Sequence, residues 1–184
     1  NYTEHLNPSE LNASKVKMGN VGLENFIRAF TQIKGGDING GLASLGKKDT
    51  LGLAKQEKAE QYYNEALASY KFKQYDKMVE ALNKAIELKS DEAKFYNVRG
   101  TAYFELGKYE KAIEDYDKSI DLDSNYAYAY NNRGTAYFEL GKYEKAIEDY
   151  DKSIDLDSNY AYAYNNRGTA YFELGKYEKA IEDY

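Results

Sequence analysis

From residue 93 onward the apolar positions fall at three- and four-residue steps. Tyr96, Gly100, Tyr103 and Leu106 form one such series, and Ala112, Tyr116, Ser119 and Ile120 form the next. Each series puts one stripe on a helix, so the spacing predicts paired amphipathic helices near residues 93–106 and 109–122. Gly107 stands where a helix C-terminus favours a residue with positive φ, which separates the two. Gly100 sits inside the first helix, where glycine costs about 1 kcal/mol against alanine, and close approach of the second helix at Ala112 is the economical reason for it. Earlier, Leu23, Phe26, Ile27, Phe30 and Ile33 mark a shorter helical face over residues 20–34, ended by Gly35 and Gly36. Residues 1–19 are polar, include Pro8 and keep no period, so they read as an arm. After a glycine-rich junction, Thr50 is a candidate cap for a long helix running from Leu51 past Tyr62, Ala66 and Tyr70.

The helical pairs repeat. Residues 99–126 recur letter for letter as residues 133–160, an offset of 133 − 99 = 34, and a further copy begins at residue 161 and runs to Tyr184. Stepping back by the same interval aligns residues 59–92 without a gap. The chain therefore divides into an arm (1–19), a helix, junction and helix start (20–58), and an array (59–184) of units 59–92, 93–126, 127–160 and 161–184, the last of them incomplete. This period and content resemble the tetratricopeptide repeat (TPR), with Tyr96 at the tryptophan position of its motif, Gly100 at the glycine, Tyr103 at the tyrosine, Ala112 at the alanine and Tyr116 at the phenylalanine. Arg99 replaces the motif's leucine and Ser124 its proline, so the turn between units lacks the residue that fixes φ.

The resemblance implies an all-α, right-handed superhelical solenoid of helix-turn-helix hairpins whose concave face, built mainly by the first helix of each hairpin, holds an extended peptide or a partner's helix. Carried over residue by residue, the concave positions are Lys94, Asn97, Thr101 and Phe104 in the second unit. They are Tyr128, Asn131, Asn132, Thr135 and Phe138 in the third, and Tyr162, Asn165, Asn166, Thr169 and Phe172 in the fourth. The same tyrosines also suit packing between hairpins, and Asn132 and Asn166 suit hydrogen bonds between neighbouring helices; both roles stay open. The implied carboxylate clamp of lysines and arginines would have only Lys94, Arg99, Arg133 and Arg167 to draw on. Glu114 and Asp115, like Asp121 and Asp123, read as surface or turn acids, with Glu114 and Lys118 spaced for an i,i+4 pair.

Other chemistry is thinly represented. With 25 basic against 31 acidic residues the chain carries a net charge of -6, without the basic stripe that nucleic acid requires. Cysteine is absent and His5 is the single histidine, so thiolate and histidine-centred metal or catalytic sites are not expected, and no cofactor is implied. Residues 41–48, GLASLGKK, approach the phosphate-binding loop, but Lys48 occupies the hydroxyl position and a helical face precedes the glycines. Nucleotide binding is not expected. Asp121, Asp123 and Asn125 begin like a calcium loop, yet Tyr126 replaces its turn glycine and Asn132 its closing glutamate; Ser124 or Asn125 is free instead to cap the next helix. No apolar run is long enough to span a bilayer. Asn1-Tyr2-Thr3 and Asn12-Ala13-Ser14 fit the glycosylation triplet, and the first residue is not methionine, which suits an exported protein and leaves a cytoplasmic one open.

Two functions follow, both non-enzymatic with protein or peptide partners. One is a scaffold that self-associates head to tail into a fibre, joining the face of Leu23, Phe26, Ile27 and Phe30 to that of Ala180, Ile181 and Tyr184 in another copy. The other is a monomeric adaptor that holds a peptide in a groove of tyrosines and asparagines.

Overall fold

The structure is a computed structural model that describes residues 48–184, with side chains from residue 52 onward. The arm, the Phe26 helix and the glycines of GLASLGKK lie outside the described residues. Eight helices are seen among the described residues: α1 (Lys48–Lys71), α2 (Tyr75–Leu88), α3 (Ala93–Glu105), α4 (Tyr109–Leu122), α5 (Ala127–Glu139), α6 (Tyr143–Leu156), α7 (Ala161–Glu173) and α8 (Tyr177–Asp183). They pair as four hairpins, α1–α2 to α7–α8, and from Gln56 to Tyr184 they form one compact unit. The starts at Ala93, Ala127 and Ala161 keep the 34-residue step of the sequence.

Each hairpin turn reverses direction through a left-handed residue. Gly107, Gly141 and Gly175 take φ of 69, 71 and 70°, and Lys73 holds the same place in the first hairpin at 56°. A side chain there crowds the following carbonyl, so glycine suits the site and lysine strains it. The glycine inside the first helix of each hairpin answers to packing instead. A Cβ on Gly134 would lie 2.8 Å from the Tyr150 ring and 3.1 Å from the Ala146 carbonyl oxygen. Close approach is confirmed, and the aromatic ring presses nearer than the alanine does.

The core is a column of small residues with one large ring per layer. Ala59, Ala66, Ala112, Ala129, Ala136, Ala146, Ala163 and Ala170 are wholly buried, which lets helices pack closely, and Phe95, Tyr116 and Tyr150 fill the space between them. Burial raises the pKa of both tyrosines, that of Tyr150 to about 12. Their hydroxyls are satisfied by Thr101 and Thr135.

Two local expectations need correction. Helix α1 begins by Lys48, so Thr50 lies within it and does not cap it; no glycine or proline stands between Lys48 and Leu51 to stop the helix earlier. Neither Ser124 nor Asn125 caps α5, whose N-cap is Tyr126 without a side-chain bond. The turn is organised by Asp123, whose carboxylate accepts from the Asn125 amide at 3.0 Å, an Asx turn. The Tyr130 hydroxyl latches it by donating to the Ser124 carbonyl at 3.4 Å. Tyr96 and Tyr164 repeat that latch on Ser90 and Ser158.

Candidate functional site: the inner helix face

Successive first helices, α3 with α5 and α5 with α7, approach one another more closely than successive second helices do. The first helices therefore line the inside of the array's curve, and α-helical spacing gathers the residues at positions 94, 97, 101 and 104, and their 34-residue equivalents, on that side.

Polar residues on this face bind mostly to each other. The Asn132 amide donates to the Asn97 side-chain oxygen at 3.1 Å, and Asn166 donates to Asn131 at 3.0 Å, linking hairpin to hairpin. Asn97 and Asn131 are only 6% and 5% exposed as a result, so their side chains sit between hairpins instead of on open groove surface. Asn165 is exposed. Thr101, Thr135 and Thr169 each donate to the carbonyl four residues back. Lys94 pairs with Glu60 at 2.6 Å and lies 4.8 Å over the Tyr63 ring.

Besides Asn165 and the exposed Glu105, Glu139 and Glu173, aromatic rings are what remains open. Tyr128 is 51% exposed and Tyr162 72% exposed, both near the start of their helices. With the half-buried Tyr126 and Tyr160 they form an unbroken chain: centroids are 6.1 Å apart for Tyr126 and Tyr128, 4.8 Å for Tyr128 and Tyr160, and 5.9 Å for Tyr160 and Tyr162. At the far end of the same helices Phe104, Phe138 and Phe172 each pack on the tyrosine that opens the next helix, Tyr109, Tyr143 and Tyr177. Phe104 and Phe138 are half-buried, whereas Phe172 is exposed.

The arginines are not available as a clamp. Arg99, Arg133 and Arg167 form bidentate pairs with Asp115, Asp149 and Asp183 in their own hairpins. Each also reaches back to the previous hairpin, to Asn83, Asp117 and Asp151 respectively. One guanidinium thus ties three helices, and the neighbouring aspartates hold Arg133 and Arg167 well above the ordinary arginine value. Asp115, read from sequence as a surface acid, is 6% exposed and belongs to this ladder. The sequence carried a signal for it: every arginine at the leucine position has an aspartate sixteen residues later, and an amide or acid sixteen residues earlier. No ion pair joins Glu114 to Lys118 among the described residues, where the arginine ladder supplies most of the pairing.

On the last hairpin, Ile181 and Tyr184 are 74% and 69% exposed. Ala180, grouped with them on sequence grounds, is buried because it packs against Gly168 inside its own hairpin. Leu23, Phe26, Ile27 and Phe30 lie outside the described residues.

Hairpins of this length, period and glycine placement define an all-α repeat solenoid. The family model described as TPR repeat matches residues 100–141 and 134–175, and the one described as tetratricopeptide repeat matches residues 59–92. The chain belongs to the tetratricopeptide repeat family, whose domains mediate protein–protein interaction. Among solved structures, the first TPR of Spaghetti (RPAP3), bound to the HSP90 peptide SRMEEVD, is 28% identical with a TM-score of 0.63, over 65% of this chain and 95% of that one. The Arabidopsis OM64 TPR domain is 30% identical with a TM-score of 0.61, over 66% of this chain and 98% of that one. A crystal structure of MamA shares the fold at 24% identity, with a TM-score of 0.65 over 91% and 92% of the two chains. No curated protein matches the chain.

Proposed function

We propose that this chain is an adaptor that holds an extended segment of a partner protein against the face made by its first helices. The observation that carries the reading is the pair of exposed rings, Tyr128 and Tyr162, on a face whose other polar groups are largely engaged. Large, stiff aromatic side chains lose little conformational entropy on binding and bury much area, which makes them effective anchors. The peptide seated on the 28% identical RPAP3 domain supports this choice of ligand. Peptides selected from a random library on the full chain are the test. They should bind at least about tenfold more weakly to the Tyr128→Ala, Tyr162→Ala double variant, and equally well to Lys118→Ala on a second helix. Equal binding to the double variant would sink the reading.

Head-to-tail self-association is the second reading: stacking of hairpin on hairpin buries Ile147 to 9% exposure within the array, and the same stacking between copies would bury Ile181. A second copy could cover that face. Sedimentation across concentration checks it, with large particles that Ile181→Asp disperses as the supporting result and a constant monomer mass as the refuting one.

A further inference from the structure

If the inner face holds a peptide, as proposed above and assumed here, its spacing and charge select one kind of peptide. The exposed rings Tyr128 and Tyr162 lie one hairpin apart, and packed helices stand about 8–10 Å from one another. A polyproline II helix advances about 9 Å per three-residue turn, so a ligand in that form would present one residue per turn to each successive ring. An α-helix repeats every 5.4 Å or so, and a strand returns to the same face every ~7 Å; neither keeps step with the hairpins. Tyr160 stands between the exposed rings and Tyr126 lies beyond Tyr128, and the tilts of 67°, 59° and 58° along the chain of rings present alternating ring faces and edges against which a pyrrolidine can pack. Aromatic-lined grooves are how other folds read such ligands. A polyproline II backbone makes no internal hydrogen bonds, so its carbonyls are free to accept from tyrosine hydroxyls along the rail.

Charge narrows the choice further. Every basic residue of α3, α5 and α7 is held by a carboxylate: Lys94 by Glu60, and Arg99, Arg133 and Arg167 by their aspartates. Glu105, Glu139 and Glu173, one turn beyond Thr101, Thr135 and Thr169 on the same face, are exposed. The open charge on the inner face is negative. An acidic tail meets repulsion there, and a basic one meets attraction.

We infer that the inner face takes a proline-rich segment in the polyproline II conformation, its prolines on the rail from Tyr126 to Tyr162 and flanked by lysine or arginine. The probe is a synthetic oligoproline ending in two lysines, titrated into the full chain by calorimetry. Tyrosine fluorescence gives a second readout, because the chain has 21 tyrosines and no tryptophan. Saturable binding should weaken about tenfold or more in the Tyr128→Ala, Tyr162→Ala variant, with helical circular dichroism unchanged. Glu139→Gln with Glu173→Gln should weaken it a few-fold and flatten its salt dependence. The acidic peptide SRMEEVD should bind at least about tenfold more weakly than the probe. Two results overturn the inference and leave the peptide reading standing: the probe binds equally to the tyrosine variant, or it fails to bind at about 1 mM while library-selected peptides without proline bind and depend on Tyr128. If no peptide of any composition depends on Tyr128 and Tyr162, both readings fall.

Discussion

Replacing the buried glycine of the third hairpin by alanine sets two known effects against each other. Alanine is the better helix former by about 1 kcal/mol, so at an open site the change should stabilise. Gly52 is such a site, with nothing within 4 Å of where a Cβ would stand. At Gly134 the new methyl would stand 2.8 and 3.0 Å from two atoms of the Tyr150 ring and 3.1 Å from the Ala146 carbonyl oxygen. Tyr150 is 1% exposed with its hydroxyl on Thr135, and the carbonyl belongs to a helix, so neither can retreat freely. Overpacking of this kind costs about 1–3 kcal/mol, and the double contact puts it in the upper half, leaving a net loss of about 1–2 kcal/mol after the helix gain. Gly168 is the intermediate case: its nearest contacts are 3.1–3.3 Å and the ring it meets, Tyr184, is 69% exposed and able to move. Gly168→Ala should be close to neutral. In thermal melts, at about 2–4 °C per kcal/mol for a chain of this size, Gly52→Ala should raise the midpoint, Gly168→Ala should barely shift it and Gly134→Ala should lower it. If Gly134→Ala melts at or above the parent temperature, the packing argument for the glycine is wrong.

Lys73, in a left-handed conformation at φ 56°, should gain about 1 kcal/mol on replacement by glycine, whereas Gly141→Ala at φ 71° should lose about as much; urea midpoints check both, and a destabilised Lys73→Gly would contradict the strain. Arg133→Ala leaves the carboxylate of Asp149, 8% exposed, without its partner, a loss of about 2–4 kcal/mol in stability that Arg133→Lys restores only in part because an ammonium cannot make the fork. A loss of under about 0.5 kcal/mol would reduce the ladder to surface pairing. Burial raises the Tyr150 pKa from 10.0 to about 12, so its neutral form stabilises the fold fully below about pH 10 and this contribution is lost as pH rises through about 12. In an alkaline titration followed by circular dichroism, helicity should be lost as pH rises through about 12, and Tyr150→Phe should move that loss to higher pH; an unchanged alkaline midpoint in the variant would refute this.

The 34-residue period, the bounds of α3 and α4 with their repeats, and the glycine that ends α3 were legible because they are local; the start of α1 was not. An exact repeat needs no structure to be seen, and apolar spacing together with a glycine after Leu106 is enough to bound two helices. That Tyr128 shares a helix side with Asn131 and Thr135 follows from spacing alone, whereas its place on a concave face came from the resemblance to the repeat family. The burial of the inner face was not. Helical spacing says that Asn97 and Asn131 share a side with Tyr128, but the asparagine of the next hairpin that covers them comes from packing between units. Arg99 looked like a lost leucine and Asp115 like a solvated acid, since a charge by itself is read as exposed. Only when α4 folds onto α3 does the guanidinium meet its carboxylate, and only when the hairpins stack does each later arginine reach the acid of the one before. Sequence determines which residues share a helix face; tertiary packing decides which of those faces meets another helix, and so which side chains are left open to a partner.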